Sequence, residues 1–169
     1  MIAIIASRFN DYISKALVNA CVIELKRQGL KEGQIATVWV PGALEIPLVA
    51  KQLAAKKNIK AVICLGAIIR GETYHFDVVA NESARGLTDV ALSSGKPILN
   101  GILTADTIAL AQKRAQDKGK ANKGYDVAVA EFGEAARLAR KARRADLILL
   151  DIWMPDVDGI TLLKEWADA

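Results

Sequence analysis

Ala61-Val-Ile-Cys-Leu-Gly66-Ala67-Ile68-Ile69-Arg70-Gly71-Glu72-Thr73-Tyr-His75-Phe-Asp77 is the stretch on which the fold turns. Ala61–Ile69 is apolar without alternation, as a strand covered on both faces requires, and such strands belong to parallel sheets. It ends abruptly in the polar loop Arg70-Gly71-Glu72-Thr73, and from Asp77 a helical pattern runs through Leu92. Strand, polar loop and helix in that order place chemistry at the carboxyl end of a parallel sheet. Gly71 allows close backbone approach to a ligand, and the loop amides with the following helix N-terminus favour an anion. His75 is the only histidine of the chain. An imidazole there can move protons near neutral pH, although a lone histidine also suits a purely structural role.

Upstream, Ile2–Ala6 reads as a buried strand followed by the loop Ser7-Arg8-Phe9-Asn10, with Phe9 exposed. Asn10 or Asp11 caps a helix over Tyr12–Gln28, which Gly29 stops. Ile35–Val40 is a second strand, broken by Pro41-Gly42-Ala43. A helix from about Leu44 to Lys57 then tolerates Pro47 in its first turn. Downstream, Pro97–Leu103 is a fourth strand, and Thr104 or Asp106 caps a short helix to about Ala115. Gln116–Asn122 is a polar link, and Lys123–Ala142 a long helix. Four β-α units in alternation predict a three-layer α/β domain with a parallel sheet and its loops gathered on one edge. A further apolar run, Asp146–Asp151, predicts a fifth strand. The loop Ile152–Asp158 and a short amphipathic helix over Gly159–Ala167 follow, so 1–169 reads as one domain in strand order 2-1-3-4-5.

The 169 residues suffice for one sizeable core, and 52% hydrophobic with 25% charged residues is a globular composition. The net charge of +4 is modest and sits largely in Lys113–Lys123 and Arg137–Arg144. With no aromatic platform interleaved, these are solvated helix faces rather than a nucleic-acid surface. Cys21 and Cys64 fall inside a helix and a strand, and read as buried free thiols without metal-ligand spacing. No apolar run reaches membrane-spanning length, and Met1–Ser7 has no basic leader or cleavage pattern. The expectation is a cytoplasmic protein without a membrane partner.

Several stretches together carry a family resemblance. Ser7-Arg8-Phe9-Asn10, Val40-Pro41-Gly42-Ala43-Leu44-Glu45-Ile46-Pro47, the whole of Gly66–Asp77, Gly101-Ile-Leu-Thr104 and Asn122-Lys123-Gly124 occur in the order and near the spacing of the lumazine synthases. Over residues 2 to about 140 the chain closely resembles that family, the penultimate enzymes of riboflavin biosynthesis. The resemblance implies condensation of 5-amino-6-(ribitylamino)uracil with 3,4-dihydroxy-2-butanone 4-phosphate to 6,7-dimethyl-8-ribityllumazine. It implies no metal and no organic cofactor.

By the same resemblance Phe9 is the shelf that stacks on the pyrimidine, a role that suits an aromatic ring. Gly42, Ala43 and Glu45 hold the ribityl chain, and Ala67, Ile68 and Ile69 meet the pyrimidine edge through their backbone. Gly71, Glu72 and Thr73 form the phosphate cradle, with Glu72 acting through its amide. Arg114 clamps phosphate, and His75 transfers protons. Lys123 lies near the ring. Asn100 stands where many family members carry Phe and others a smaller polar residue. In the family the residues matching Asn100 and Arg114 serve the site of the adjacent subunit in a pentamer. A monomer would hold only half-sites.

The last stretch resembles something else. Leu149-Leu-Asp151-Ile-Trp-Met-Pro155-Asp-Val-Asp158-Gly159 looks like the third strand and following helix of a response-regulator receiver domain, with Asp151 at the phosphoacceptor position. Two families within one sheet point to an engineered chimera. In it, the strand near 146–151 takes the edge that the lumazine synthases reserve for a neighbour's N-terminal segment, removing an open sheet edge. Three functions follow as expectations: an oligomeric lumazine synthase, a non-catalytic flavodoxin-like scaffold, and a phosphoryl-accepting signalling protein. The third is disfavoured, because the first strand ends in Ala6-Ser7-Arg8, where a receiver needs acidic residues for Mg²⁺.

Overall fold

Ile2–Ser7 (β1) is buried along its whole length, and the other strands are built around it. The structure, a computed structural model, describes residues 1–116 and 122–132. β2 (Ile35–Val40) lies parallel to β1 on one side and β3 (Ala61–Ile69) parallel on the other, and β4 (Ile98–Ala105) continues the sheet beyond β3. The order is 2-1-3-4, as the alternation of β and α units predicts. Ile2 pairs with both Ile35 and Ala61, and Val62 with Ile98. All four carboxyl ends therefore reach the same edge.

Two helical layers cover the sheet. On one face α1 (Asp11–Arg27) sets Ile13, Leu17, Cys21 and Leu25 against Ile2, Ile4, Ile63 and Leu65. α4 (Ile108–Arg114) and α5 (Lys123–Phe132) join that layer through Ala111, Val127 and Ala128. On the other face α2 (Ile46–Ala54) and α3 (His75–Ser94) bring Ile46, Ala50, Leu53, Leu87 and Val90 onto Ala3, Ile5, Val62 and Cys64. Burial of each large apolar side chain contributes about 1.5–3 kcal/mol, so these two layers are the main source of stability. Both cysteines are buried free thiols, as expected, and burial pushes the Cys21 thiol up to about 12.

Three helix starts differ from the sequence expectation. α3 begins at His75, two residues before Asp77. The Tyr74 carbonyl already accepts from the Asp77 and Val78 amides, and Thr73 Oγ1 takes the His75 amide at 3.4 Å. The helix expected from Leu44 to Lys57 is instead a tight 3-10 turn, Ala43–Glu45, followed by α2 ending at Ala54. Glu45 folds back on the Gly42 amide and tightens the start, while the Lys96 ammonium takes the carbonyls of Lys56 and Ile59 beyond the end. α4 is capped by Thr107, whose Oγ1 accepts from the Leu110 amide at 3.2 Å. Thr104 is still in β4, and the Asp106 carboxylate is taken by Arg70.

The second half of the helix expected through Ala142, the strand expected at Asp146–Asp151 and the helix expected at Gly159–Ala167 lie outside the described residues.

Candidate functional site at the carboxyl edge

Ser7 closes β1 as a buried residue, its hydroxyl 3.5 Å from that of Ser14. A Cβ at Gly66 would stand 2.5 Å from Ser7 Oγ, so the glycine is there for close packing of β3 on β1. The Arg8 amide donates to the Val40 carbonyl at 2.8 Å and the Phe9 amide to the Pro41 carbonyl at 3.0 Å. Asn10 then takes a left-handed conformation, φ 58 and ψ 45, which asparagine tolerates better than most residues. It occupies the N-cap of α1, but its side chain does not cap the helix. Its Nδ2 donates to the Ala67 carbonyl at 2.9 Å, pinning the loop to β3. Phe9 is left 72% exposed beside Pro41 and Gly42, available as a flat apolar surface.

Across the edge, the Gly42 amide donates to Glu45 Oε2 at 2.7 Å, which closes the β2–α2 turn. Ala43 is buried against Ile68 and Phe76. From β3, Ala67 and Ile68 are buried and Ile69 is partly exposed. Gly71, Glu72 and Thr73 are exposed, and a Cβ at Gly71 would meet no atom within 4 Å. His75 is exposed in the first turn of α3, a 20-residue helix whose N-terminal amides favour negative charge. Phe9, Gly42, Ala43, Glu45, Ala67, Ile68, Ile69, Gly71, Glu72, Thr73 and His75 thus share one edge.

Asn100, Arg114 and Lys123 lie on other elements. Asn100 pairs with Cys64, which pairs with Ile5, so it stands two register positions, roughly 7 Å, behind Ser7 at the end of β1. Its Oδ1 accepts from the Ile102 amide at 3.0 Å. Arg114 ends α4 and Lys123 begins α5. Both act on Asp126, whose carboxyl is raised by burial and drawn back by Lys123 and then Arg114. Lys123 adjoins the segment of α5 that packs at Leu17, six residues along α1 and so roughly 9 Å from its start. Asp151 lies outside the described residues.

Sequence reasoning missed the node that organises this edge. Arg70 Nε donates to Asp106 Oδ1 at 2.8 Å, and its two terminal nitrogens reach the Asp77 carboxylate at 3.2 and 3.4 Å. The guanidinium carbon lies 4.0 Å from the centre of the Phe76 ring. Asp106 and then Asp77 hold the guanidinium above its ordinary basicity. The signal available in the sequence was an arginine seven residues before Asp77, across a glycine-containing loop. Asn122 has a packing role that its motif does not announce. It is buried, donates to the carbonyls of Gln116 and Ala16, and accepts from the Gly124 amide at 2.8 Å. Among the described residues, no three His, Cys, Asp or Glu side chains are placed to hold a metal ion.

The parallel sheet in order 2-1-3-4, with helices on both faces and its loops at the carboxyl edge, is of the doubly wound α/β class, whose members bind ligands at that edge. Residues 1–139 match the family model for 6,7-dimethyl-8-ribityllumazine synthase, and the chain belongs to that family. Its function is that of a lumazine synthase in riboflavin biosynthesis. No helix among the described residues is long and apolar enough to cross a membrane.

Proposed function

We propose that this chain condenses 5-amino-6-(ribitylamino)uracil with 3,4-dihydroxy-2-butanone 4-phosphate to 6,7-dimethyl-8-ribityllumazine, with loss of phosphate and water. The observation that carries the reading is the convergence of Phe9, the Gly42–Glu45 turn, the end of β3 and the Gly71–His75 segment on one sheet edge. Phe9 stacks on the pyrimidine, and the backbone at Ala67–Ile69 reads its edge. Gly42, Ala43 and Glu45 receive the ribityl hydroxyls. The amides of Gly71, Glu72 and Thr73 cradle the phosphate, where the α3 N-terminus favours the anion. His75 shuttles the protons that imine formation and phosphate loss require.

By family membership Asn100 and Arg114 serve the site of an adjacent copy, and Lys123 lies near the ring. The working unit is then an oligomer, and much of its rate comes from holding two substrates in one place. We also infer a receiver-like tail from about residue 144, joined as a chimera in a cytoplasmic protein. The end of the family match at residue 139 accords with that boundary. The deciding experiment sizes the protein by light scattering and follows lumazine formation on the same sample. Turnover by a particle larger than a monomer is expected. An assembled particle that binds both substrates without forming lumazine overturns the reading.

A further inference from the structure

We propose that Arg70 is a positioning residue for this reaction, setting the placement of His75 and of the Gly71–Thr73 loop relative to the helix that carries Arg114. The assignment rests on the roles proposed above for His75 and Arg114. Three segments meet at this one side chain. Its own backbone amide donates to the Ala105 carbonyl at 3.0 Å, extending the β3–β4 pairing past the strand ends. One edge of the guanidinium holds Asp77, two residues after His75. The other holds Asp106, the residue before the Thr107 cap of α4. The flat face rests on Phe76, which is buried with Ala43 and Ile68 and so is itself fixed.

The Arg70 side chain is exposed, at 44%, but its Nε and both terminal nitrogens already donate to the two carboxylates. Its charge therefore acts as a brace rather than as a second phosphate clamp. It also answers two negative groups beside a loop that must accept an anion, where bare carboxylates would repel the ligand. A lysine keeps the charge but loses both the planar fork and the ring contact. Because Asp106 adjoins the start of α4 and Arg114 ends it, one side chain registers the proton carrier of its own site and the arginine offered to the next.

The test uses Arg70→Lys and Arg70→Ala in the full chain, with Asp106→Asn as a milder break. kcat and both KM values are measured, and the ring-proton NMR signals of His75 are followed. The chain has a single histidine, so those signals need no further assignment. The expected result is a kcat loss approaching 10²-fold for both Arg70 variants, the scale of small misplacements of reacting groups. KM for butanone phosphate should rise more than KM for the pyrimidine, and the His75 signals should move. Asp106→Asn should show the same pattern more weakly. Unchanged kcat with unmoved His75 signals in a folded Arg70→Lys protein overturns the proposal. So does a lower melting temperature with equal rises in both KM values and unmoved signals, which would make Arg70 a fold brace only. If the parent protein turns nothing over, the function proposed above fails. The His75 signals then decide the Arg70 assignment alone: movement supports it and constancy overturns it.

Discussion

Gly124 lies against the carbonyl oxygen of Leu17 so closely that a Cβ at this position would fall inside the contact distance of that backbone atom. Asn122 prepares the approach by capping α5 and reaching the Ala16 carbonyl at 3.4 Å. The Asn-Lys-Gly segment is therefore a docking device between α1 and α5, and Lys123 is delivered to its corner by it.

Gly124→Ala should separate the two helices. The opposing atom is main chain and cannot swing aside, so a loss of roughly 1–3 kcal/mol is expected, the usual cost of overpacking. Urea unfolding checks this. An unchanged midpoint would mean that α1 and α5 do not pack as described.

Glu24 supplies a pH dependence. It is only 2% exposed, and Arg27 at 2.7 Å with Gln28 at 2.6 Å holds its carboxyl below the ordinary carboxylate value. A carboxylate lowered by folding binds fewer protons folded than unfolded, so its contribution is present above the unfolded value and lost as pH falls through the folded one. Asp126 works the other way: burial raises it, and its contribution declines as pH rises through the raised value. Glu24→Gln should lower stability at pH 7 and flatten the acid-side decline, read from urea midpoints over pH 3–7 in moderate salt. Salt screens the exposed Asp11–Lys15 pair. An acid limb as steep as the parent's would assign it to other carboxylates.

His75→Ala should lower turnover by about ten- to a few hundred-fold, toward the lower end of general acid–base effects. Its exposed place at the start of α3 makes the truncation structurally mild. Full turnover at saturating substrates would remove His75 from the mechanism.

Arg114→Ala should raise KM for butanone phosphate far more than KM for the pyrimidine, because a planar cation is matched to phosphate. If Arg114 serves the adjacent copy, mixing this variant with His75→Ala should restore part of the activity through mixed assemblies. Failure of dissociated and reassembled mixtures to regain any activity would count against the shared site.

If the tail adds a fifth strand, as the sequence expectation has it, removal of residues 143–169 should destabilise the protein by several kcal/mol or cause aggregation, each large side chain so buried being worth about 1.5–3 kcal/mol. Acetyl phosphate with Mg²⁺ should leave Asp151 unmodified. An acid-stable, hydroxylamine-labile phosphoryl adduct there would revive the signalling function.

The four strands, their order and the loop edge were legible because a doubly covered strand must be continuously apolar, and right-handed β-α connections leave few topologies open. Ala61–Ile69 and its polar sequel carried most of that information. Arg70 and Asn10 could not be read the same way. Each is satisfied by partners distant in sequence, Asp106 for one and Ala67 for the other, and local spacing does not encode such contacts. The cap of α4 was misplaced for the same reason: Asp106 has ideal capping chemistry, but a guanidinium across the loop claims it. The sequence by itself determined which residues can form the core and which can bear the chemistry. Only the tertiary structure decided that Asn122 and Gly124 serve packing, that Asn100 lies level with Ile5 inside the sheet, and that one arginine joins Asp77 to Asp106. Side-chain pairing depends on where the chain returns in space, and periodicity along the chain carries no record of that.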